Sequence, residues 1–280
     1  MRRSRLLVVA FLSIAMMLAA FGCSAASRGD ASAASAVPET SDNAKILVVG
    51  CDDYPPFTYN DEAGDMTGID VEIITEACRR IGYQAQCRFI NWETKDSLLA
   101  EGSIDCIASS FSMSGRQSKY RWVGPYMKSR QVVAVSPGSD IETLADLEGK
   151  VVAVRSTTKS ENVILDEINE AVPNVGAVYS FADRAYLVPS LLKGYVDAIA
   201  SHETSILQYE ADYGVDLRIL DDPLLETGVG FAFGLNDDRG IDQALSAALD
   251  DMRADGTMEQ ILSRYLDDPA EYLDLAEIDE

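Results

Sequence analysis

The chain has 280 residues, 47% of them hydrophobic, which is enough for a buried core in each of roughly two domains. Its formal net charge of -23 leaves no basic stripe for phosphates. Nucleic-acid binding is thereby excluded, and the acidity reads as solubility rather than as substrate choice. With one histidine and no Cys-x-x-Cys pair, a structural zinc site is excluded too, and no cofactor is expected.

Arg2, Arg3 and Arg5 precede an apolar run from Leu6 to Phe21 that ends in Gly22-Cys23. A charged start, a short apolar core and small residues at its end describe an export signal. A membrane span needs about 20 apolar residues with different flanks. The stretch resembles bacterial lipoprotein signals, in which cleavage precedes a cysteine that is then acylated. That resemblance implies a signal peptide over 1–22, lipidation at Cys23, and a chain exported and lipid-anchored on the extracellular or periplasmic face of the cell membrane. Phe21 is bulkier than the pattern favours and the usual leucine sits further back, at Leu18, so a plain secreted protein is the alternative. Residues 23–44, rich in Ala and Ser, read as a flexible tether.

From Lys45 strand and helix signals alternate. Ile46 to Gly50 leads into Asp52-Asp53-Tyr54-Pro55-Pro56-Phe57, where the prolines forbid both helix and central strand. A loop with carboxylates and two aromatics at a strand end suits covering a ligand; a packed turn with Phe57 in the core is the alternative. A polar hairpin over Asn60 to Gly68 precedes a helix from Asp70 to Ile81, apolar at Val71, Ile74, Ala77, Cys78 and Ile81 and stopped by Gly82. Strand Gln86 to Ile90 follows, then a loop with Trp92, which either lines a crevice or packs a helix, then a short helix near Asp96 to Ala100.

Asp105 to Tyr126 is the centre of the reading. A short strand, Cys106 to Ala108, breaks into the hydroxyls of Ser109, Ser110 and Ser112, then Arg116, then a turn at Gly124-Pro125. In open α/β sheets ligands lie at the carboxyl ends of parallel strands. A guanidinium fork donates two parallel charge-assisted hydrogen bonds to a carboxylate. The stretch therefore reads as half of a pocket for a small anion or zwitterion, with a capped strand and a surface arginine as the plainer alternative.

A second α/β unit begins with strand Gln131 to Ser136 and a short helix from Asp140 to Leu147. Strand Val151 to Arg155 then runs into Ser156-Thr157-Thr158-Lys159. A helix from about Ser160 to Ile168 would present unpaired N–H groups beside those hydroxyls, a seat for a carboxylate, although the same atoms serve ordinary N-capping. Strand Val178 to Phe181, a helix from Asp183 to Lys193 that is awkward at Pro189, and strand Val196 to Ala200 ending in Ser201-His202-Glu203 come next. Strands Val215 to Leu220 and Gly228 to Leu235, helices Ile241 to Arg253 and Met258 to Tyr265, and an acidic tail over 268–280 complete the chain. The alternation predicts an α/β fold with parallel strands and right-handed crossovers. An oxidising compartment permits a disulfide between Cys78, at a helix end, and Cys87, at a strand start. Cys51 and Cys106, on strands expected to be neighbours, either pair or remain thiols.

The succession VGCDDYPPFTY, GIDVEI, the Trp92 loop, GSIDCIASSFSMSGR, WVGPY, LADLEGKVVAVRSTT, GYVDAIAS and MRADGTMEQILSRY resembles the polar-amino-acid group of bacterial extracellular solute-binding proteins that serve ABC importers. The resemblance covers about Lys45 to Asp267. It implies an α/β, two-lobed periplasmic-binding-protein-like fold with two hinge strands, closing on a ligand. The lobes would be 45–130 plus 228–267 and 131–227, with crossings at Gln131 to Ser136 and Gly228 to Phe233.

The same resemblance implies that Tyr54 stacks on the ligand and Trp92 walls its side-chain pocket. Ser110 and Ser112, with Ser109 beside them, meet the ammonium and carboxylate, and Arg116 clamps the carboxylate. Thr157, Thr158 and Lys159 supply second-lobe contacts, and Asp52 or Asp53 is the acidic group near the ligand side chain. The segment from Ser112 to Arg116 is a residue shorter than the commonest pattern. The second-lobe aspartate that pairs with the ligand ammonium falls at His202. Either Asp53 or Glu203 then takes the amine, the favoured branch, or the ligand is not an ordinary α-amino acid. His202 would have to stay neutral, so binding is expected to weaken as pH falls through about 6.5.

The implied partners are an amino acid or analogue, an ABC permease and the lipid anchor, with the chain a monomer that binds and does not catalyse. The competing readings are a dehydratase-like enzyme on the same lobes, using His202 or Glu203 as acid or base, and a ligand-sensing module.

Overall fold

The structure is a computed structural model that describes residues 44–166, 169–276 and 278. The expected signal peptide over 1–22, the expected lipidation at Cys23 and the expected tether up to residue 43 lie outside the described residues. No helix among the described residues is long and apolar enough to cross a membrane.

The first part runs β1 (Lys45–Cys51), a small hairpin of β2 (Tyr59–Asn60) and β3 (Met66–Thr67), α1 (Ile69–Arg80), β4 (Tyr83–Phe89), α2 (Lys95–Ala100) and β5 (Cys106–Ser112). The middle runs β6 (Arg121–Val135), β7 (Val151–Arg155), α3 (Lys159–Leu165), β8 (Ala177–Phe181), α4 (Leu187–Leu192), β9 (Ala198–His202), α5 (Glu203–Tyr213) and β10 (Arg218–Ile219). Strand β11 (Leu225–Phe233) and helices α6 (Ile241–Ala254), α7 (Thr257–Leu262) and α8 (Pro269–Leu273) close the chain.

One nine-stranded sheet has the order β4-β1-β5-β11-β6-β9-β7-β8, with β10 beside β6. β1 pairs in parallel with β4 and β5, and β7 with β8 and β9. Between these parallel sets lie β11 and β6, antiparallel to each other and to their outer neighbours. Buried apolar side chains fall into two groups, one drawn from 47–127 and 229–262 and the other from 132–225. Among the described residues only β6 and β11 place side chains in both groups: Val123 and Met127 in the first with Val133 and Val135 in the second, and Phe231 in the first with Leu225 in the second. The fold is thus α/β and two-lobed, with two strands crossing between the lobes.

Gly124-Pro125 lies inside β6 and is not a turn. Val123 pairs with Phe231 and Met127 with Val229, so β6 bulges there, and a bulge is where a residue without an N–H can sit in a ladder. The expected helix over Asp140 to Leu147 shrinks to a 3-10 turn, Leu144–Leu147, closed by a capping box between Thr143 and Asp146. Pro189 falls in the first turn of α4, where its missing N–H costs nothing. The tail is partly structured, with Tyr272 and Leu273 of α8 packed on the first core.

No disulfide joins Cys78 to Cys87; both are free thiols, as are Cys51 and Cys106. The expected pairing needs Cys87 at the start of its strand. β4 in fact begins at Tyr83, so Cys87 lies well along it. Cys78 is wholly buried on the core face of α1, and burial pushes its thiol up to about 12. The neighbouring of β1 and β5, hence of the Cys51 and Cys106 strands, is as expected.

Helix α1 places one carboxylate that shapes the end of β5. Its buried face is Ile69, Asp70, Ile73, Ile74, Ala77 and Cys78, and Asp70 is fully buried. Asp70 Oδ2 accepts the backbone N–H of Ser109 at 2.6 Å and of Ser110 at 2.7 Å, while Oδ1 accepts the Tyr126 hydroxyl. Ser109 (φ 101°) and Ser110 (φ 48°) occupy left-handed backbone, which costs about 1–3 kcal/mol per residue unless the surroundings impose it. Burial pushes the Asp70 carboxyl up to about 6 against the pull of its three donors. Asp70→Ala is expected to destabilise the fold by about 2–4 kcal/mol, because two amides and a phenol lose their buried acceptor, and Asp70→Asn by less. Urea unfolding of the two variants measures this; an Ala variant as stable as the parent would remove Asp70 from its role.

Candidate functional site

The carboxyl ends of β1, β5 and β7 converge between the lobes, the position at which open α/β sheets present ligands. They enclose a cavity of about 30 Å³, and a recess of about 460 Å³ lies next to it. Asp52, Trp92, Arg155 and Arg184 line both and form the wall between them.

From the first lobe, the loop after β1 is tied down by short hydrogen bonds. Asp52 N donates to Ser109 Oγ at 2.8 Å, and Thr58 Oγ1 donates to Asp52 O at 2.5 Å. The Ser109 hydroxyl is thereby spent on holding the loop. Trp92 is both wall and core: it is buried, stands edge-on to Phe111 with ring centroids 5.5 Å apart, and lines the cavity. Arg116 lies over the Phe111 ring at 4.8 Å. It donates from Nη1 to Ser112 O at 3.1 Å and from Nη2 across the cleft to Asn162 Oδ1 at 3.4 Å. Burial lowers its pKa, yet a guanidinium at this position stays charged.

From the second lobe come Thr157, Thr158 and Lys159. Thr157 also has positive φ (57°), so all three non-glycine residues of that kind among the described residues line this cavity. Its N–H donates to Glu161 Oε2 at 2.6 Å, and Thr158 Oγ1 caps α3 by accepting from Glu161 N at 3.4 Å. Those atoms therefore cap the helix, so the expected open seat for a carboxylate is already partly filled. Lys95 donates to Thr157 Oγ1 at 3.3 Å across the cleft.

Tyr54 closes the cleft rather than facing an open cavity. Its hydroxyl lies 3.0 Å from Ser201 Oγ and accepts from His202 N at 3.4 Å, and the Arg184 guanidinium lies 4.4 Å over its ring. Arg155 Nη2 stands 3.6 Å from Asp52 Oδ2, and Arg184 Nη2 donates to Asp53 O at 3.0 Å. Every one of these contacts joins one lobe to the other.

His202 is buried at the junction of β9 and α5. Ser129 Oγ lies 2.6 Å and Ser110 Oγ 3.2 Å from its Nδ1, and the Gln131 amide nitrogen is 2.9 Å from each ring nitrogen. Gln131 Oε1 accepts the Ser160 hydroxyl, which turns its NH₂ toward the ring. Burial, then Arg116 and Arg184, push the imidazole down to about 3, so it is neutral at any physiological pH. The expected weakening of binding near pH 6.5 assumes an unperturbed imidazole; burial moves it down with the pKa.

Two carboxylates expected at the amine lie elsewhere. Glu203 accepts from Arg130 Nη1 at 2.6 Å, away from the cavity lining. Asp53 is exposed and faces the outer recess. Asp52 is the carboxylate in the cavity, and burial raises its pKa against Arg155 and Arg184.

The structure therefore brings together Tyr54, Trp92, Ser109, Ser110, Ser112, Arg116, Thr157, Thr158, Lys159 and His202, and leaves Asp53 at the rim. Sequence reasoning missed Arg155, Arg184 and Gln131. Arg155 carried the signal that marked Arg116, a guanidinium where a parallel strand ends; Arg184 sits in a 3-10 turn with no periodic signal. No group of three or more His, Cys, Asp or Glu among the described residues could hold a metal ion.

Residues 46–268 match the family described as bacterial extracellular solute-binding proteins, family 3. The chain is 28% identical over 225 residues to the L-cystine-binding protein TcyA of Bacillus subtilis (strain 168), covering 79% of this chain and 81% of that one. It is 26% identical over 256 residues to the glutamate-binding protein GluB of Corynebacterium glutamicum, covering 85% and 84%. Among solved structures, Tv2483 bound to L-arginine superposes with a TM-score of 0.73 at 28% identity, over 80% of this chain and 91% of that one. The match takes in both lobes and both crossing strands, and the chain belongs to the bacterial extracellular solute-binding proteins of family 3.

Proposed function

We propose that this protein is the extracellular solute-capturing component of an ABC importer, closing two lobes on an amino acid or similar small zwitterion and passing it to a membrane permease. The lobes are 45–130 with 228–267, and 131–227. The observation that carries the reading is the set of side chains that reach across the cleft at the strand ends, with Arg116 aimed between them. Arg116 clamps the ligand carboxylate, with Ser110, Ser112, Thr157, Thr158 and Lys159 around it and Tyr54, Trp92 and His202 as walls. The glutamate, cystine and arginine bound by the relatives named above share a carboxylate, which is what a buried guanidinium fork reads.

The leader at 1–23 supports export and a lipid anchor at Cys23. The protein partners of the two second-lobe acid-base candidates support binding over catalysis. His202 is enclosed by Ser110, Ser129 and Gln131, and Glu203 is paired with Arg130.

Native mass spectrometry of protein purified without unfolding should show a co-purified small carboxylate, and Arg116→Ala should lose it. By calorimetry that substitution is expected to cost about 2–5 kcal/mol of affinity, the range for a truncated buried charge pair. Unchanged affinity would place the clamp elsewhere.

His202 is the chain's only histidine, so tag-free protein gives one imidazole Cε1–H resonance. No titration is expected between pH 8 and about 5, because the folded pKa lies far below the unfolded value of about 6.5. The sign for stability follows: the His202 contribution is intact above about 6.5 and is lost as pH falls toward 3, where the unfolded chain takes the proton first. A chemical-shift midpoint near 6.5 would contradict the buried neutral ring.

A further inference from the structure

We propose that the captured solute is a small dicarboxylate whose binding does not require an α-ammonium group. The inference rests on the reading of this cleft as an importer's solute site and changes its ligand class, from any small zwitterion to molecules with two carboxylates, with or without an amine. The cavity is lined by four cations, Arg116, Arg155, Lys159 and Arg184, against one carboxylate, Asp52, while His202 is a buried ring whose nitrogens face hydroxyl and amide partners. That balance sits inside a chain of formal charge -23, so it is local and not a reflection of composition. Isolated buried cations are costly unless an anion meets them.

Two of these arginines are incompletely paired. Arg155 is only 7% exposed, and its Nε has no hydrogen-bond partner among the described residues; the Nε of Arg184 is likewise buried and without one. The remaining partners of Arg155 are Ser156 Oγ at 3.0 Å, Phe181 O at 3.4 Å and Asp52 at a loose 3.6 Å. Arg184 donates to Ser205 Oγ at 3.1 Å and Asp53 O at 3.0 Å, neither of which neutralises it. Together they form a second anion-seeking position, distinct from Arg116, in the wall between the inner cavity and the outer recess.

An ammonium group would meet the opposite situation. The carboxylates that could receive it are committed or outside: Glu203 to Arg130, Glu161 to the Thr157 N–H, Asp52 opposite Arg155, Asp53 at the exposed rim, and, in the outer recess, Asp183 to the Ala185 N–H and Asp212 to the Gln208 amide. His202 offers no negative charge, and the Gln131 NH₂ and the Ser129 hydroxyl already crowd its ring nitrogens. A second carboxylate, by contrast, gives Arg155 and Arg184 the acceptors they lack.

The experiment is calorimetry on the purified protein, dialysed free of ligand, with glutarate, 2-oxoglutarate, L-glutamate, L-arginine, L-histidine and L-cystine as probes. 2-Oxoglutarate should bind at least as tightly as L-glutamate, which differs by carrying the amine, and the basic amino acids should give no heat. Arg155→Gln, checked for folding by thermal unfolding, should weaken 2-oxoglutarate by about tenfold or more, as expected for loss of a charge-assisted pair. L-glutamate binding more than about tenfold tighter than 2-oxoglutarate, a step of 1.4 kcal/mol, would overturn the proposal by showing that the amine is read. Binding of L-arginine, L-histidine or L-cystine in place of the dicarboxylates would overturn it and leave the importer reading intact. Silence from every probe would count against both.

Discussion

The grip of the Asp70 carboxylate on the end of β5 is the constraint on which the site depends. A strand that takes two consecutive residues into left-handed backbone, where its pairing with β11 shifts register, has no local reason to do so, since neither Ser109 nor Ser110 is glycine. Asp70 supplies the reason by accepting both amides from the first turn of α1, and Tyr126 holds the other carboxylate oxygen from β6. Three elements are thus fixed to one charge. The direction of the chain after Ser110, and with it the place of Ser112 and Arg116, follows from that fixation. The Ser109 hydroxyl extends the same network to the Asp52 loop, so both edges of the first-lobe half-site are set from one buried point.

Electrostatics then decides what the cleft can hold. Removing a guanidinium from water costs several kcal/mol even after relaxation, and here several cations are drawn together by the contacts that join the lobes. Those contacts are mostly neutral or long: Tyr54 to Ser201 at 3.0 Å, Arg116 to Asn162 at 3.4 Å, Arg155 to Asp52 at 3.6 Å. On the proposed function, closure alone would leave positive charge under-compensated, and an anionic solute would remove the deficit. A ligand shifts a two-state equilibrium only by its differential affinity for the two states; on the proposed function the difference would lie in cations that lose water on closing and gain carboxylate oxygens. The acidic exterior acts against approach of an anion at long range. Its field is screened beyond about 10 Å at ordinary salt, leaving the local field of the cavity to govern capture.

Much of this was legible from residue order. The βαβ alternation gave the parallel sets on each side, and the break from apolar residues into Ser109, Ser110 and Ser112 ahead of Arg116 marked the strand end that lines the cleft. Where reading failed, the cause was an effect without local signature. Gly124-Pro125 reads as a turn because nothing nearby announces that β11 will tolerate a bulge opposite it. Cys87 was placed at a strand start because Tyr83, Gln84 and Ala85 look like a connection until β1 pairs with them. Asp70 did leave a trace, an acidic residue three and four positions before Ile73 and Ile74 on the buried face of α1. The neutrality of His202 left none, since it depends on burial and on Arg116 and Arg184, which lie far from it in the sequence and reach it only in the folded chain.

On the proposed function, solute binding and lobe closure are one event, driven by carboxylate oxygens reaching Arg116 between the lobes. Small-angle X-ray scattering of ligand-free protein, titrated with whichever of 2-oxoglutarate or L-glutamate binds more tightly, tests it directly. The radius of gyration should fall in proportion to occupancy measured by calorimetry, and Arg116→Ala should abolish both changes together. Saturating binding with an unchanged scattering profile, or contraction that persists in Arg116→Ala without binding, would contradict the claim.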